Sequence, residues 1–159
     1  MNYFDLFSLE LQFEVSRFVL EDALIRLLKI FHPDKFVFSS KLEKEIALHN
    51  SSLINTAYGV LIDPIKRAEY ILKQHGYSLD NSVSNEISSA TQDLLLLSME
   101  WQERLEDEDE DKSQLKSEIL SEKDQTLKLL KDMLNSALYD EALKQYMKLK
   151  FINRFLERI

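Results

Sequence analysis

Helix-breaking residues are almost missing from this chain, and that scarcity limits what it can become. Among 159 residues there are 2 glycines and 2 prolines. Tight turns draw on Gly and Pro for their special backbone angles, so a sheet protein rich in hairpins needs many more of them. Leu, Glu, Lys and Ala-type residues abound instead, and these are strong helix formers. The fold class that follows is all-α. Hydrophobic residues make up 45% of the chain, enough to bury a core in one ordinary domain or two small ones.

Charge and residue usage exclude several functions. The formal net charge of −8 disfavours nonspecific binding to nucleic acid, whose phosphates need a basic surface. Charges interrupt every hydrophobic stretch before the roughly 18 residues a membrane span requires. The opening residues, Met1-Asn2-Tyr3-Phe4-Asp5, lack the basic start of a signal peptide and the Arg-rich character of a transit peptide. There are no cysteines, hence no disulfide, thiolate ligand or thiol nucleophile. These features fit a soluble protein of a reducing compartment, such as the bacterial cytoplasm. No three His or acidic residues show a metal-ligand spacing, and the glycines form no phosphate loop, so neither metal, ATP nor another cofactor is expected.

Periodicity divides the chain near residue 80. Leu20, Leu24, Leu27 and Phe31 recur at helical spacing and define one apolar face. Pro33 stops that helix, because the residue before a proline is pushed out of the α region. A second helix reads through Leu42, Ile46, Leu53, Ala57 and Leu61, with His49 on its apolar face as a partly buried packing residue. Pro64 suits the first turn of a third, which ends near His75 at Gly76. Polar residues from Ser78 to Ser89 read as a linker and a helix start. Three amphipathic helices follow, at about 86–107, 112–135 and 138–158, and their short connections favour an antiparallel three-helix bundle. The expected division is 1–76, a linker at 77–85, and a bundle at 86–159. The run Glu106-Asp107-Glu108-Asp109-Glu110-Asp111 reads as a solvated corner between helices.

Between the first two long helices stands His32-Pro33-Asp34-Lys35. The proline-fixed turn projects His32 and Asp34 away from the core, where Asp34 can accept charge-assisted hydrogen bonds from an arginine of a partner. Capping of the next segment by Asp34, with His32 a plain surface residue, is the structural alternative. The tetrapeptide resembles the signature of J-domains, the co-chaperone modules that activate DnaK-type ATPases. Ile54-Asn55-Thr56-Ala57-Tyr58, then Leu61, Pro64 and Arg67, fall where the J-domain's third helix and its sequel belong. The opening Asn2-Tyr3-Phe4-Asp5-Leu6-Phe7, the extension of the signature to Phe36, and the stretch Pro64 to Leu72 are similar to the HscB branch of iron–sulfur cluster assembly. The absence of cysteine resembles its bacterial members.

Arg26 and Lys29 lie opposite the Leu20-Leu24-Leu27-Phe31 face, so they are exposed. They read either as a basic patch that docks an acidic chaperone groove or as an ordinary solvated face partly neutralised by Asp22. Ile30 stands where many J-domains carry a lysine.

In the second half, Ile87, Ala90, Leu94, Leu97, Trp101 and Leu105 share one helix face, sufficient for a bundle core. Leu95, Leu96 and Met99 lie roughly opposite it and continue into Glu100, Glu103 and Asp107. An apolar stripe rimmed by acids suits a protein-binding site. Packing of Leu95 and Leu96 as filler beneath the first half is the other reading. These six residues are similar to the scaffold-binding surface of HscB proteins. Phe151 matches as well, and lies off the face formed by Leu138, Ala142, Leu149, Ile152 and Leu156.

The resemblance therefore implies an L-shaped all-α protein, an N-terminal J-domain helical hairpin followed by the bundle. Its partners would be an HscA-like DnaK-type ATPase chaperone, met through His32, Pro33, Asp34, Lys35, Arg26 and Lys29, and an IscU-like iron–sulfur scaffold protein. The chain itself would catalyse nothing. A general J-domain co-chaperone for other clients is the alternative, although no Gly/Phe-rich or Cys-rich client region follows the first half. A small hydrolase using His32 and Asp34 would lack a nucleophile or metal site, and a passive coiled-coil adaptor would leave the signature without purpose.

Overall fold

The computed structural model describes residues 1–79, 88–109 and 111–159. Its described elements are α1 (Tyr3–Leu6), α2 (Arg17–Phe31), a 3-10 turn (Pro33–Phe36), α3 (Lys41–Ile62), α4 (Pro64–Gln74), α5 (Ser88–Glu106), α6 (Lys112–Asn135) and α7 (Tyr139–Leu156). The fold is all-α, as the shortage of turn residues requires. Packing divides the chain into two compact units, Met1–Ile71 and Leu72–Ile159, with the division falling inside α4. Most of the expected linker at 77–85 lies outside the described residues, as do Ile87, Glu110 and the side chain of Ala90.

The first unit is built on the α2–α3 hairpin, with α1 also packed against α3. Ser16 caps α2, its hydroxyl accepting the Val19 N–H. Leu20 and Ala23 are buried, while Leu24, Leu27 and Phe31 are half-buried on the same side. The core face of α3 agrees with the expected one at Ala57 and Leu61, which are buried, and at half-buried Leu53, but differs in the first half of the helix. Leu42 and Ile46 are exposed, and so is His49, which packs nothing away. The buried residues are Ala47, Ser51, Ile54, Ala57 and Leu61. Two stripes run along this helix, and the seam rich in small residues is the one turned inward. Small side chains let two helices approach closely, whereas the bulkier stripe would hold them apart.

The end of α3 is tied to α4 by Arg67. Its guanidinium is buried, donates from Nη1 to the Leu61 carbonyl at 2.6 Å, and lies 4.9 Å from the centre of the Phe13 ring. Burial lowers its affinity for the proton from the usual arginine value, and the charge of Asp63 opposes that shift. Asp63 also accepts the N–H groups of Ile65 and Lys66, so it caps α4. Tyr70 joins α4 to the chain's start, stacking on Tyr3 at 4.5 Å while its hydroxyl accepts the Tyr3 N–H. Gly76 ends this segment with φ +85°, and the Gly76→Lys73 and Tyr77→Leu72 backbone bonds complete a Schellman motif.

In the second unit α5, α6 and α7 form a three-helix bundle, with the α6–α7 pair packed most extensively. Trp101, Leu115, Ile119, Ile152 and Phe155 make one core cluster, flanked by half-buried Leu97, Leu105, Phe151, Leu156 and Ile159. Leu130, Ala142, Tyr146 and Leu149 continue the burial along the α6–α7 pair. Leu138, expected in the core face of α7, is instead exposed at its N-cap. Its place is taken by Tyr146 and Phe155, whose spacing continues from Ala142 through Leu149 and Ile152. The α6–α7 turn is another Schellman motif, closed by Ala137→Leu134 and Leu138→Met133 backbone bonds, with Ala137 held at φ +56°.

Truncating Leu149, which is fully buried, to Ala is expected to cost about 2–5 kcal/mol. Ala137→Gly is expected to stabilise the bundle by several tenths of a kcal/mol (about 0.5), because glycine carries no Cβ penalty in the left-handed region. Urea unfolding of the two variants checks both signs.

Candidate functional site: a signature turn and an apolar stripe

Two surfaces stand out, one in each unit. The first begins where α2 must end. Pro33 excludes His32 from the α region, and His32 accordingly sits at φ −63°, ψ 129° while its N–H still bonds the Leu28 carbonyl at 2.8 Å. Pro33 opens the 3-10 turn, where its missing N–H is no loss. The His32 imidazole caps this turn: its Nδ1 accepts the Asp34 N–H at 3.2 Å. The Asp34 Oδ2 also lies 3.5 Å from this nitrogen. Lys35 N–H bonds the His32 carbonyl at 3.0 Å and closes the turn.

The cap is thus His32, and the alternative in which Asp34 caps the segment does not occur. The Asp34 side chain is 87% exposed and presents its carboxylate to solvent, with Lys35 exposed beside it. Arg26 and Lys29 are exposed on α2, as their angular position requires. Arg26 pairs with Asp22 at 3.2 Å across one helical turn, an exposed contact of small energetic weight. Downstream, Ser40 and Glu43 form a reciprocal capping box at the start of α3, and the bonds from Ser40 hold the Glu43 carboxyl below its usual range.

The second surface lies on α5. Leu95, Leu96 and Met99 are 57%, 68% and 61% exposed, so none of the three is taken up by the core of the bundle. Glu100, Glu103 and Asp107 are exposed on the same side of the helix. Between α5 and α7 runs an open groove of about 510 Å³, with Met99, Phe151 and Phe155 as its apolar lining and Glu103 and Glu106 at its margin. Arg158 and Gln102 also line it, joined by a 2.7 Å hydrogen bond from Nη2 to Oε1. Such a groove admits an apolar side chain and meets positive charge at its rim.

Curated relatives match the chain from end to end. A co-chaperone protein HscB homolog of Aliivibrio salmonicida (strain LFI1238) is 36% identical over 167 aligned positions, covering 100% of this chain and 95% of that protein. The chain belongs to the HscB co-chaperone family. A homolog from Neisseria meningitidis is 34% identical, covering 99% of this chain and 96% of its own. The family model described as the HSCB C-terminal oligomerisation domain matches residues 90–159. Among solved structures, chaperone HscB from Vibrio cholerae superposes with a TM-score of 0.80 at 29% identity, over 99% of this chain and 94% of that one. Human co-chaperone protein HscB gives 0.85 over 99% of this chain and 80% of its own, where 24% identity speaks for the fold alone.

In this HscB-family chain the structure gathers His32, Pro33, Asp34 and Lys35 on one turn, and Met99, Glu103 and Phe151 around one groove. Leu95, Leu96 and Glu100 are exposed on α5, and Asp107 just past its end, all outside the groove lining. Phe151 needs a correction. It does not lie off the core: it is half-buried, stacks on Trp101 at 5.8 Å and meets Phe155 at 6.1 Å. On α7 the expected Ala142, Leu149 and Ile152 are buried and Leu156 half-buried; Leu138 alone of that face is exposed, and Tyr146 and Phe155 widen the inward face toward Phe151. Gln102, Glu106, Phe155 and Arg158 escaped the sequence reading, although the four-residue spacings 102–106 and 151–155 place each beside a neighbour on one face.

The dual position of Phe151 sets a clear expectation. Phe151→Ala is expected to destabilise the bundle by about 1–3 kcal/mol, while Leu96→Ala and Met99→Ala stay within about 0.5 kcal/mol of wild type. Thermal and denaturant unfolding of the three single variants decide it.

Proposed function

We propose that this co-chaperone delivers an IscU-like iron–sulfur scaffold protein to an HscA-like DnaK-type chaperone and stimulates that chaperone's ATP hydrolysis, in the cytoplasm. The observation that carries the reading is the Asp34 carboxylate, offered to solvent by a turn that Pro33 and His32 hold rigid. An exposed carboxylate on a turn of defined geometry is a ready acceptor for an arginine of the ATPase. Lys35, Arg26 and Lys29 add exposed positive charge that steers an acid-lined partner into place. Scaffold capture is assigned to Leu95, Leu96, Met99, Glu100, Glu103, Asp107 and Phe151. The acids among them select a basic patch, and the apolar group supplies affinity.

Family description favours a second use of the second surface. The matched segment 90–159 carries the name of an oligomerisation domain, and an exposed stripe of Leu95, Leu96 and Met99 also suits a second copy of this chain. Sedimentation across a concentration series separates self-association from scaffold capture.

Two measurements test the main reading. Asp34→Asn and His32→Gln are each expected to abolish stimulation of the purified chaperone with circular dichroism unchanged, and Lys29→Glu to slow association more than dissociation, most clearly at low salt. Full stimulation by Asp34→Asn would remove the turn from the mechanism. Leu96→Ser combined with Met99→Ser is expected to weaken scaffold binding by about tenfold or more in calorimetry while leaving stimulation without scaffold intact. Unchanged affinity in the folded variant would place the scaffold elsewhere.

A further inference from the structure

The signature turn is followed at once by apolar side chains that cover nothing. Val37 is exposed, Phe38 fully so, and Leu42 and Ile46 are 65% and 50% exposed on the first turns of α3. Single exposed apolar residues are ordinary on a protein surface. Here four fall within ten positions: Leu42 and Ile46 are neighbours one turn apart on α3, and Val37 and Phe38 lie in the segment that leads into that helix. The four charges interleaved with them, Lys41, Glu43, Lys44 and Glu45, sum to zero: Glu45 pairs with Lys41 at 3.8 Å, and Glu43, bonded to Ser40, is balanced by its neighbour Lys44. The four apolar residues therefore present an electrically quiet strip. The 3-10 turn carrying Asp34 packs directly against α3, so strip and signature are parts of one surface.

We infer that Phe38, Leu42 and Ile46 form a second, apolar contact for the same ATPase chaperone that engages Asp34. This rests on the chaperone reading of the signature turn. The occupant follows from distance. Phe38 is four residues from Asp34, a reach of at most about 14 Å even in extended chain, and the turn is tighter than that. A standard interface covers roughly 800 Å² per partner, a disc of roughly 16 Å radius. A partner seated on Asp34 thus covers Phe38 and the start of α3. Exposed aromatic and aliphatic groups there must meet an apolar strip on the chaperone or remain as an unfavourable rim. This contact supplies affinity without electrostatics, complementing the salt-sensitive approach of Arg26 and Lys29.

The test titrates full-length Phe38→Ser/Leu42→Ser/Ile46→Ser into a purified HscA-like chaperone and follows ATP hydrolysis, beside Asp34→Asn. The triple variant is expected to raise the half-saturating concentration about tenfold, with maximal stimulation kept and the shift equal at low and moderate salt. Phe38→Ser alone, in the exposed turn, is expected to give a smaller rise in the same direction and guards against misfolding of α3. Wild-type half-saturation in both folded variants overturns the inference while leaving the chaperone reading in place. Full stimulation by Asp34→Asn overturns that reading and this one with it. A concentration-dependent dimer of the wild type that the triple variant abolishes assigns the strip to a second copy instead, and also overturns it.

Discussion

The first unit depends on what Pro33 forbids. A proline cannot follow a residue in the α region without steric conflict, so α2 has to end at Phe31 and His32 has to be extended. Every later feature of the turn uses that fixed start. The imidazole of His32 is placed to accept the Asp34 N–H, and the Lys35 N–H closes onto the His32 carbonyl. With both backbone donors satisfied within four residues, the Asp34 side chain has no structural duty and is free to face outward. The turn that carries this carboxylate is thereby held by bonds in which the carboxylate takes no part.

The two units solve helix packing differently. In the α2–α3 hairpin, Ala23, Ala47 and Ala57 are buried together with Leu20, Ile54 and Leu61, while Leu42 and Ile46 of α3 remain outside. In the bundle, Trp101, Phe151 and Phe155 fill the space between α5 and α7 with ring contacts of 5.4–6.1 Å. An inward face that mixes small and large residues leaves some large side chains of α3 uncovered. Packing through large rings consumes them, and Phe151 is consequently shared between core and groove.

Much of this was legible in the sequence, for reasons that particular residues make plain. Pro33, Pro64 and Gly76 punctuate helices through sterics that act locally, and α2, α4 and their boundaries followed from them. The exposed stripe of Leu95, Leu96 and Met99 was also readable, since Trp101 and its periodic neighbours already supplied a full inward face. The inward side of α3 was readable at Ala57 and Leu61 but not in its first half, where two stripes compete and Leu42 and Ile46 stay outside while Ala47 and Ser51 are buried. On α7, Ala142, Leu149 and Ile152 are buried as their spacing predicts, whereas Leu138 is exposed at the N-cap and Phe151 half-buried, because Tyr146 and Phe155 widen the inward face.

Arg67 holds its place by means that water-exposed ion pairs do not share. Its Nη1 meets the Leu61 carbonyl, its planar face covers the Phe13 ring, and Nε lies buried without a hydrogen-bond partner. Counter-ions have little access to such a group, so the joint between α3 and α4 should be indifferent to salt that loosens surface pairs such as Arg17–Glu21. A lysine would keep the charge but lose the flat, weakly hydrated face that tolerates an aromatic ring. The corner is in this sense selective for the shape of a cation rather than for its charge.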